Sequence, residues 1–395
     1  MSSIRTQFLN HMAPTSAFPL MLEISDAKGV YLIDPAGKKY LDFIAGISVS
    51  SLGHKYPAVV KAVQNQAETF MHTMVYGEYV LSPQVELASL LTEQLPAQLD
   101  SVYFVNSGTE ATEGAMKLAK RVTGRREIIS CRKAYHGSSQ GALSLMSEDQ
   151  FTAPFRPLLP NINHIEYNCE YCLRHITDKT AAVIVEPVQA EWGVRPPFDN
   201  YLTKLRAKCT ETGTLLILDE IQTGYGRTGS LFAFDKYGIV PDILLLAKGM
   251  GGGMPIGAFV SSKENMRYFS DHPILGHITT FGGHPVSCAA ALATLKTLLS
   301  ENYVSEVAKK EEYIKSRLEH SLIQEIRSSG LLMAVQLDSF DRVGNVIKHC
   351  MDSGLIVDWF LFNDSCIRIA PPLVITMEEI DEACDLLLAA LDKVM

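Results

Sequence analysis

The feature that most constrains this chain is a unit repeated through its middle: a short apolar run, a polar turn, then an amphipathic stretch. Strands are read over 102–105, 127–130, 181–185, 215–218, 243–247 and 256–260. Helical spacing fills the intervals, most plainly at Ala111, Ala115, Leu118, Ala119 and Val122, with Gly124 as the stop. This alternation specifies an α/β fold: a mostly parallel, seven-stranded-type sheet flanked by helices. Ser107, Tyr135, Glu186, Asp219 and Lys248 each fall just beyond a strand. Ligands in such sheets lie beyond the carboxyl ends of the strands, so these five are expected to share one site.

The chain ends are patterned differently. Short strands are read over 29–33 and 39–43, and the last third mixes helices over 286–299 and 304–322 with strands over 331–337 and 366–369. Both ends are expected to join in a small α+β domain, dividing the chain into 1–52, a large domain 53–290, and 291–395. The net charge of −9 gives no reason to expect nucleic acid as a partner. No apolar run reaches the length of a bilayer span, and residues 1–10 lack the apolar core of a signal peptide, so a cytoplasmic protein without membrane contacts is expected. The eight cysteines do not form a disulfide framework in a chain this long. Cys169 and Cys172 form a C-x-x-C followed by His175, but no further ligand pair accompanies them. They are therefore read as reduced and structural, with no metal expected.

The strand ends carry the chemistry. Asn106-Ser107-Gly108-Thr109 opens a helix, whose first-turn N–H groups lack carbonyl partners and offer a seat for a phosphate. An ordinary helix cap is the competing reading. Asp219 ends an apolar strand, where a carboxylate needs a cation, and a protonated pyridine nitrogen is one that would keep the ring an electron sink. A magnesium-binding acid would require a G-x-x-x-x-G-K-[ST] loop, which is absent. Lys248 ends another apolar strand and leads into Gly249-Met250-Gly251-Gly252-Gly253, a stretch with room for a flat ring. Desolvation there lowers an amine's pKa and favours imine formation. In Tyr135-His136-Gly137, the aromatic ring is placed either over a cofactor face or in the core.

Together these segments closely resemble the class III aminotransferases of pyridoxal 5'-phosphate (PLP) fold type I, most nearly the acetylornithine and ornithine aminotransferases. The stretches that carry the resemblance are Phe104-Val105-Asn106-Ser107-Gly108-Thr109-Glu110-Ala111, Val183-Ile184-Val185-Glu186-Pro187-Val188-Gln189 and Leu216-Ile217-Leu218-Asp219-Glu220-Ile221-Gln222-Thr223-Gly224. Ala247-Lys248-Gly249, Thr280-Phe281-Gly282-Gly283 and Arg368-Ile369-Ala370-Pro371-Pro372-Leu373 follow in the family's order. The resemblance implies that Lys248 holds PLP as a Schiff base and shuttles a proton. It also implies that Asp219 pairs with the pyridine nitrogen, that Gln222 bonds the phenolate oxygen, and that Tyr135 stacks on the ring. Ser107, Gly108 and Thr109 would cup the phosphate, with His136 and Glu186 in the same cofactor set. Thr280 would reach the phosphate of a neighbouring subunit, which implies a homodimer with its active sites at the interface.

The substrate end departs from the pattern. Glu191 and Arg368 match a glutamate that covers or uncovers a carboxylate-binding arginine, although an ordinary structural salt bridge remains the competing reading. The family's second carboxylate-binding arginine is replaced by Ser138, and Trp192 follows Glu191 where the family has a small residue. Trp192 is expected to narrow the entrance or to offer its face to a cation or an apolar substrate. Arg156 and Arg195 are candidates to replace the lost guanidinium. The expected reaction moves an amino group from an amino acid or ω-amine donor to a 2-oxo acid, with 2-oxoglutarate as the leading acceptor. The alternatives are an aminomutase of the glutamate-semialdehyde type and a non-catalytic binding protein on the same fold; Lys248, Asp219 and Gln222 together argue against the latter.

Overall fold

The computed structural model describes residues 3–395. Near the N-terminus, β1 (Asp26–Lys28), β2 (Tyr31–Ile33) and β3 (Lys39–Asp42) form an antiparallel ribbon. The central strands follow: β4 (Ser101–Val105), β5 (Glu127–Cys131), β6 (Ile162–Ile165), β7 (Thr180–Val185), β8 (Leu215–Asp219), β9 (Ile243–Leu246) and β10 (Gly257–Ser261). The C-terminal strands are β11 (Glu325–Ser328), β12 (Met333–Gln336), β13 (Leu355–Ile356), β14 (Asp358–Phe360) and β15 (Asn363–Ile369).

The central sheet has seven strands in the order β4-β10-β9-β8-β7-β5-β6, and only β10 runs antiparallel to its neighbours. Strands β7, β9 and β10 are buried along their whole length, as expected when helices cover both faces of a sheet. The helix Gly108–Thr123 starts on the Ser107 cap, ends at Gly124 in the left-handed conformation, and buries Ala111, Ala115, Leu118 and Ala119. With six of the seven strands pointing the same way, the loops after β4, β5, β7, β8 and β9 open at one edge of the sheet.

Strand β13 pairs in parallel with β3, so the two chain ends share a four-stranded sheet; β11, β12, β15 and β14 form another. Fully buried Arg227, in the loop after β8, donates to the carbonyls of Leu331 (3.0 Å) and Pro371 (2.5 Å), tying the large sheet to the end of β15.

Three sequence readings need correction. The boundary at 290 falls inside the helix Pro285–Ser300, which is continuous and packs against Pro57–Thr69 and Ser82–Glu93 of the large domain. The helix read over 304–322 is confined to Val307–Arg317, where its buried residues Val307, Lys310 and Ile314 lie. Cys169 and Cys172 are joined in a disulfide rather than reduced: the short 3-10 helix Glu170–His175, which starts at Cys169, brings their Cα atoms to 5.3 Å. Among the described residues no cluster fit for a metal ion is found, and no helix is long and apolar enough to cross a membrane.

Candidate active site

The five strand-end loops converge on a cavity of about 540 Å³ lined by Ser107, Gly108, Thr109, Tyr135, His136, Ser138, Glu186, Glu191, Asp219, Gln222 and Lys248. An outer cavity of about 810 Å³ shares Tyr135, Glu191 and Lys248 with it and adds Arg368, Asp358 and apolar side chains, among them Phe8, Phe18, Ile47, Trp359 and Leu361. Two of the residues first read as site residues lie outside both cavities. Thr280 is exposed elsewhere, its carbonyl 2.9 Å from His72 Nε2. Trp192 lines neither cavity; Lys133 and Arg195 each stand 5.1 Å from its ring centroid.

At the inner end, the loop after β5 is bound to the start of the helix Gly108–Thr123. Thr109 Oγ1 meets Ser139 Oγ at 2.6 Å, and Thr112 Oγ1 donates to the His136 carbonyl at 2.9 Å. Gly137 makes this approach possible: its φ is +127°, and a Cβ there would lie 2.4 Å from Thr109 Oγ1. The Ser107 hydroxyl accepts the Glu110 N–H at 3.3 Å, so the helix-cap reading of that side chain holds. Phosphate recognition at this corner would therefore fall to first-turn amides as well as hydroxyls.

Asp219 is buried with both oxygens engaged: Oδ2 accepts from His136 Nδ1 at 2.7 Å, and Oδ1 accepts from the Ile221 N–H at 3.0 Å. Glu186 lies behind them, accepting from the Ala190 and Tyr135 N–H groups at 3.1 and 3.3 Å. Burial, reinforced by the nearby Asp219 charge, pushes its carboxyl up to about 7.

Lys248 Nζ donates to Gln222 Oε1 at 2.7 Å. Because an ammonium only donates, this contact fixes the amide orientation and leaves Gln222 Nε2 buried without a partner. His136 Nε2 is likewise buried and unpartnered. Burial holds the Lys248 amine below its usual range, with Glu191 opposing. A carbonyl-bearing ring with a phosphate and a hydrogen-bonding edge matches this donor set.

The outer end is built on charge. Arg368 Nη1 and Nη2 donate to Glu191 Oε1 and Oε2 at 2.9 Å each, and Nη2 also donates to the Trp359 carbonyl at 3.0 Å. Burial disfavours the Glu191 carboxylate, but the Arg368 and Lys248 charges together with its hydrogen bonds to Arg368 and the Leu361 N–H hold the carboxyl below its usual range. Ser138 is exposed at the rim, its hydroxyl 3.1 Å from that of Tyr135. Arg156 and Arg195, the candidates to replace the missing guanidinium, line neither cavity. Among the described residues the arginines lining the two cavities are Arg368 and Arg5, the latter 3.7 Å from Glu23. Sequence reasoning missed Arg5 and Asp358. Asp358 carried a legible signal, being the lone acid in the apolar run 355–362, the same mark that singled out Asp219.

A lysine beside a buried carboxylate pair, at the carboxyl edge of this sheet, defines a lysine-centred enzyme site on an α/β transferase fold. The chain belongs to the class III aminotransferases: the family model, aminotransferase class-III, matches residues 12–391. The acetylornithine aminotransferase of Methanopyrus kandleri is 41% identical over 379 residues, 94% of each chain. That of Caldanaerobacter subterraneus is 38% identical over 382 residues, again 94% of each. The ornithine aminotransferase of Toxoplasma gondii, whose structure holds PLP at partial occupancy in its active site, aligns with a TM-score of 0.90 at 31% identity, covering 98% of this chain and 93% of that one. An (S)-enantioselective ω-transaminase from Thermomicrobium roseum aligns with a TM-score of 0.91 at 30% identity, covering 99% and 98%. The enzyme is an aminotransferase.

Proposed function

We propose that the enzyme is a PLP-dependent transaminase of the acetylornithine/ornithine type, moving an amino group from an amino acid or ω-amine donor to 2-oxoglutarate. PLP, when bound, supplies a carbonyl that condenses with amines and a ring that withdraws electrons from the reacting carbon. Lys248 would hold it and then serve as the base that takes and returns the substrate proton, a role suited to an amine of lowered basicity. Asp219, oriented by His136, would keep the ring nitrogen positive, and the free amide N–H of Gln222 would meet the ring's oxygen. Ser107, Gly108 and Thr109 would hold the phosphate, and Tyr135 would cover the ring.

The observation that carries this reading is the placement of Lys248 and the Glu191–Arg368 pair in one continuous cavity. A paired arginine presents no net charge to a donor's side chain, whereas a freed one binds a carboxylate bidentately. The reading includes a homodimer in which Thr280 crosses to the partner's cavity. Exposed Ile278 and Phe281 beside it support such an interface. A donor panel against 2-oxoglutarate and pyruvate, read by single-turnover spectra, tests the proposal; efficient amination of pyruvate with none of 2-oxoglutarate would refute the acceptor assignment.

A further inference from the structure

Arg368 faces two carboxylates. Besides the Glu191 pair, its Nε lies 3.1 Å from Asp358 Oδ1, its directly opposed cross-strand neighbour on β14. The alignment is too poor for a hydrogen bond, so Asp358 Oδ1 stays buried without a donor. The two acids differ in mounting and access. Glu191 sits on the loop after β7, whereas Asp358 is fixed in the hairpin β14–β15. The Asp358 side chain is 23% exposed and lines the outer cavity, against 5% for Glu191 and 3% for Arg368. With Glu191 paired, Asp358 is left as a second carboxylate on a single guanidinium. Burial raises the Asp358 carboxyl to about 6, which leaves it ionised at neutral pH and above. Of the other charged groups on the wall, Arg5 and Glu23 face each other at 3.7 Å, and Lys248 lies where the cavity meets the inner one.

We propose that Asp358 is a specificity-determining residue: a fixed anion that selects donors whose far end carries a second, protonated amine over donors whose far end is a neutral acyl amide. This rests on the reading of the outer cavity as the donor site. Apolar walls from Phe18, Ile47, Trp359 and Leu361 suit the methylene spacer of such a diamine, and a carboxylate that shares its guanidinium with Glu191 and lacks a hydrogen-bond donor keeps acceptor capacity for a cation.

The test compares ornithine with its Nα-acetyl derivative as donors, 2-oxoglutarate being fixed, in wild type, Asp358→Asn and Asp358→Ser. Two variants guard against misfolding of either. The wild-type ratio of kcat/KM, free diamine over acylated, is expected to exceed ten and to fall about tenfold in both variants, through KM rather than kcat. Calorimetric affinity of the holoenzyme for a bis-tertiary diamine, which carries both charges and cannot condense with a carbonyl, is expected to weaken in parallel. A wild-type preference for the acylated donor, or a ratio and affinity unmoved in the variants, overturns the role of Asp358 while leaving the transaminase reading intact. If wild type uses neither donor, the donor-site reading itself fails, and the proposal with it.

Discussion

Glu191 and Arg368 meet as a bidentate pair, both contacts 2.9 Å, with their side chains 5% and 3% exposed inside the cavity that Lys248 also lines. Burying such a pair costs desolvation that a purely structural role seldom repays, but a pair that opens for one substrate and closes for another makes use of it. Replacing Glu191 by Ala leaves the Nη edge of Arg368 free. The KM for 2-oxoglutarate is expected to fall or hold, while the KM for a donor with a distal amine rises about five- to tenfold. Replacing Arg368 by Gln should cut kcat/KM for 2-oxoglutarate about a hundredfold or more and for pyruvate far less. Equal losses for the two acceptors would mark the pair as structural.

Ser138 stands at the rim where the family resemblance calls for an arginine. Ser138→Arg is expected to shift preference toward donors bearing a carboxylate near the reacting amine by at least about tenfold, since a charged hydrogen-bonded pair is worth roughly 1.5–3 kcal/mol. A donor panel checks this; an unchanged ranking means that the carboxylate is bound elsewhere, with Arg5 the next candidate on the cavity wall.

Asp219→Ala removes the carboxylate that His136 orients at 2.7 Å. The variant is expected to retain cofactor and to lose activity by a factor on the order of 10²–10³, as when a preorganised electrostatic partner is deleted. His136→Asn should give a smaller loss in kcat with little change in KM. Steady-state kinetics at saturating cofactor separate the two, and unchanged kcat in both would remove the ring-nitrogen role.

The fold, and the convergence of the strand-end residues on one cavity, were legible in the sequence where the signal was local. Apolar runs ending in Asp219 and Lys248 pointed to the sheet edge because β8 and β9, parallel and buried on both faces, stand out as continuous apolar stretches, while Ser107 was marked by the strand-to-helix turn itself. Signals that depend on pairing were hidden. Asp358 acquires its partner only through the β14–β15 register, and Arg5 reaches the cavity only because the N-terminal segment folds across it. The direction of the Trp192 ring was equally invisible, since the choice between cavity and the Lys133–Arg195 cations is tertiary. The Cys169–Cys172 pairing depended on a short 3-10 helix whose conformation the intervening residues do not announce.

Glu186 sets a pH dependence of stability. Its folded-state carboxyl is raised to about 7, chiefly by burial, so its contribution is fully present below the unfolded pKa and is lost as pH rises through about 7. Between pH 4.5 and pH 8 the wild-type apoenzyme should therefore lose on the order of 2–3 kcal/mol that Glu186→Gln does not lose. Parallel denaturant titrations of the two proteins across that range measure the difference; coincident pH profiles would show that Glu186 is not the titrating group.

The visible spectrum of the purified protein reconstituted with PLP, recorded for wild type and for Lys248→Ala, bears most directly on the role of Lys248. Wild type should show the band of a lysine-bound cofactor, bleached by an amino donor and restored by 2-oxoglutarate. The variant should lack that band and lose turnover by several orders of magnitude. A variant that keeps the wild-type band and turns over at the wild-type rate would contradict the assignment of Lys248 as the residue that holds the cofactor and moves the proton.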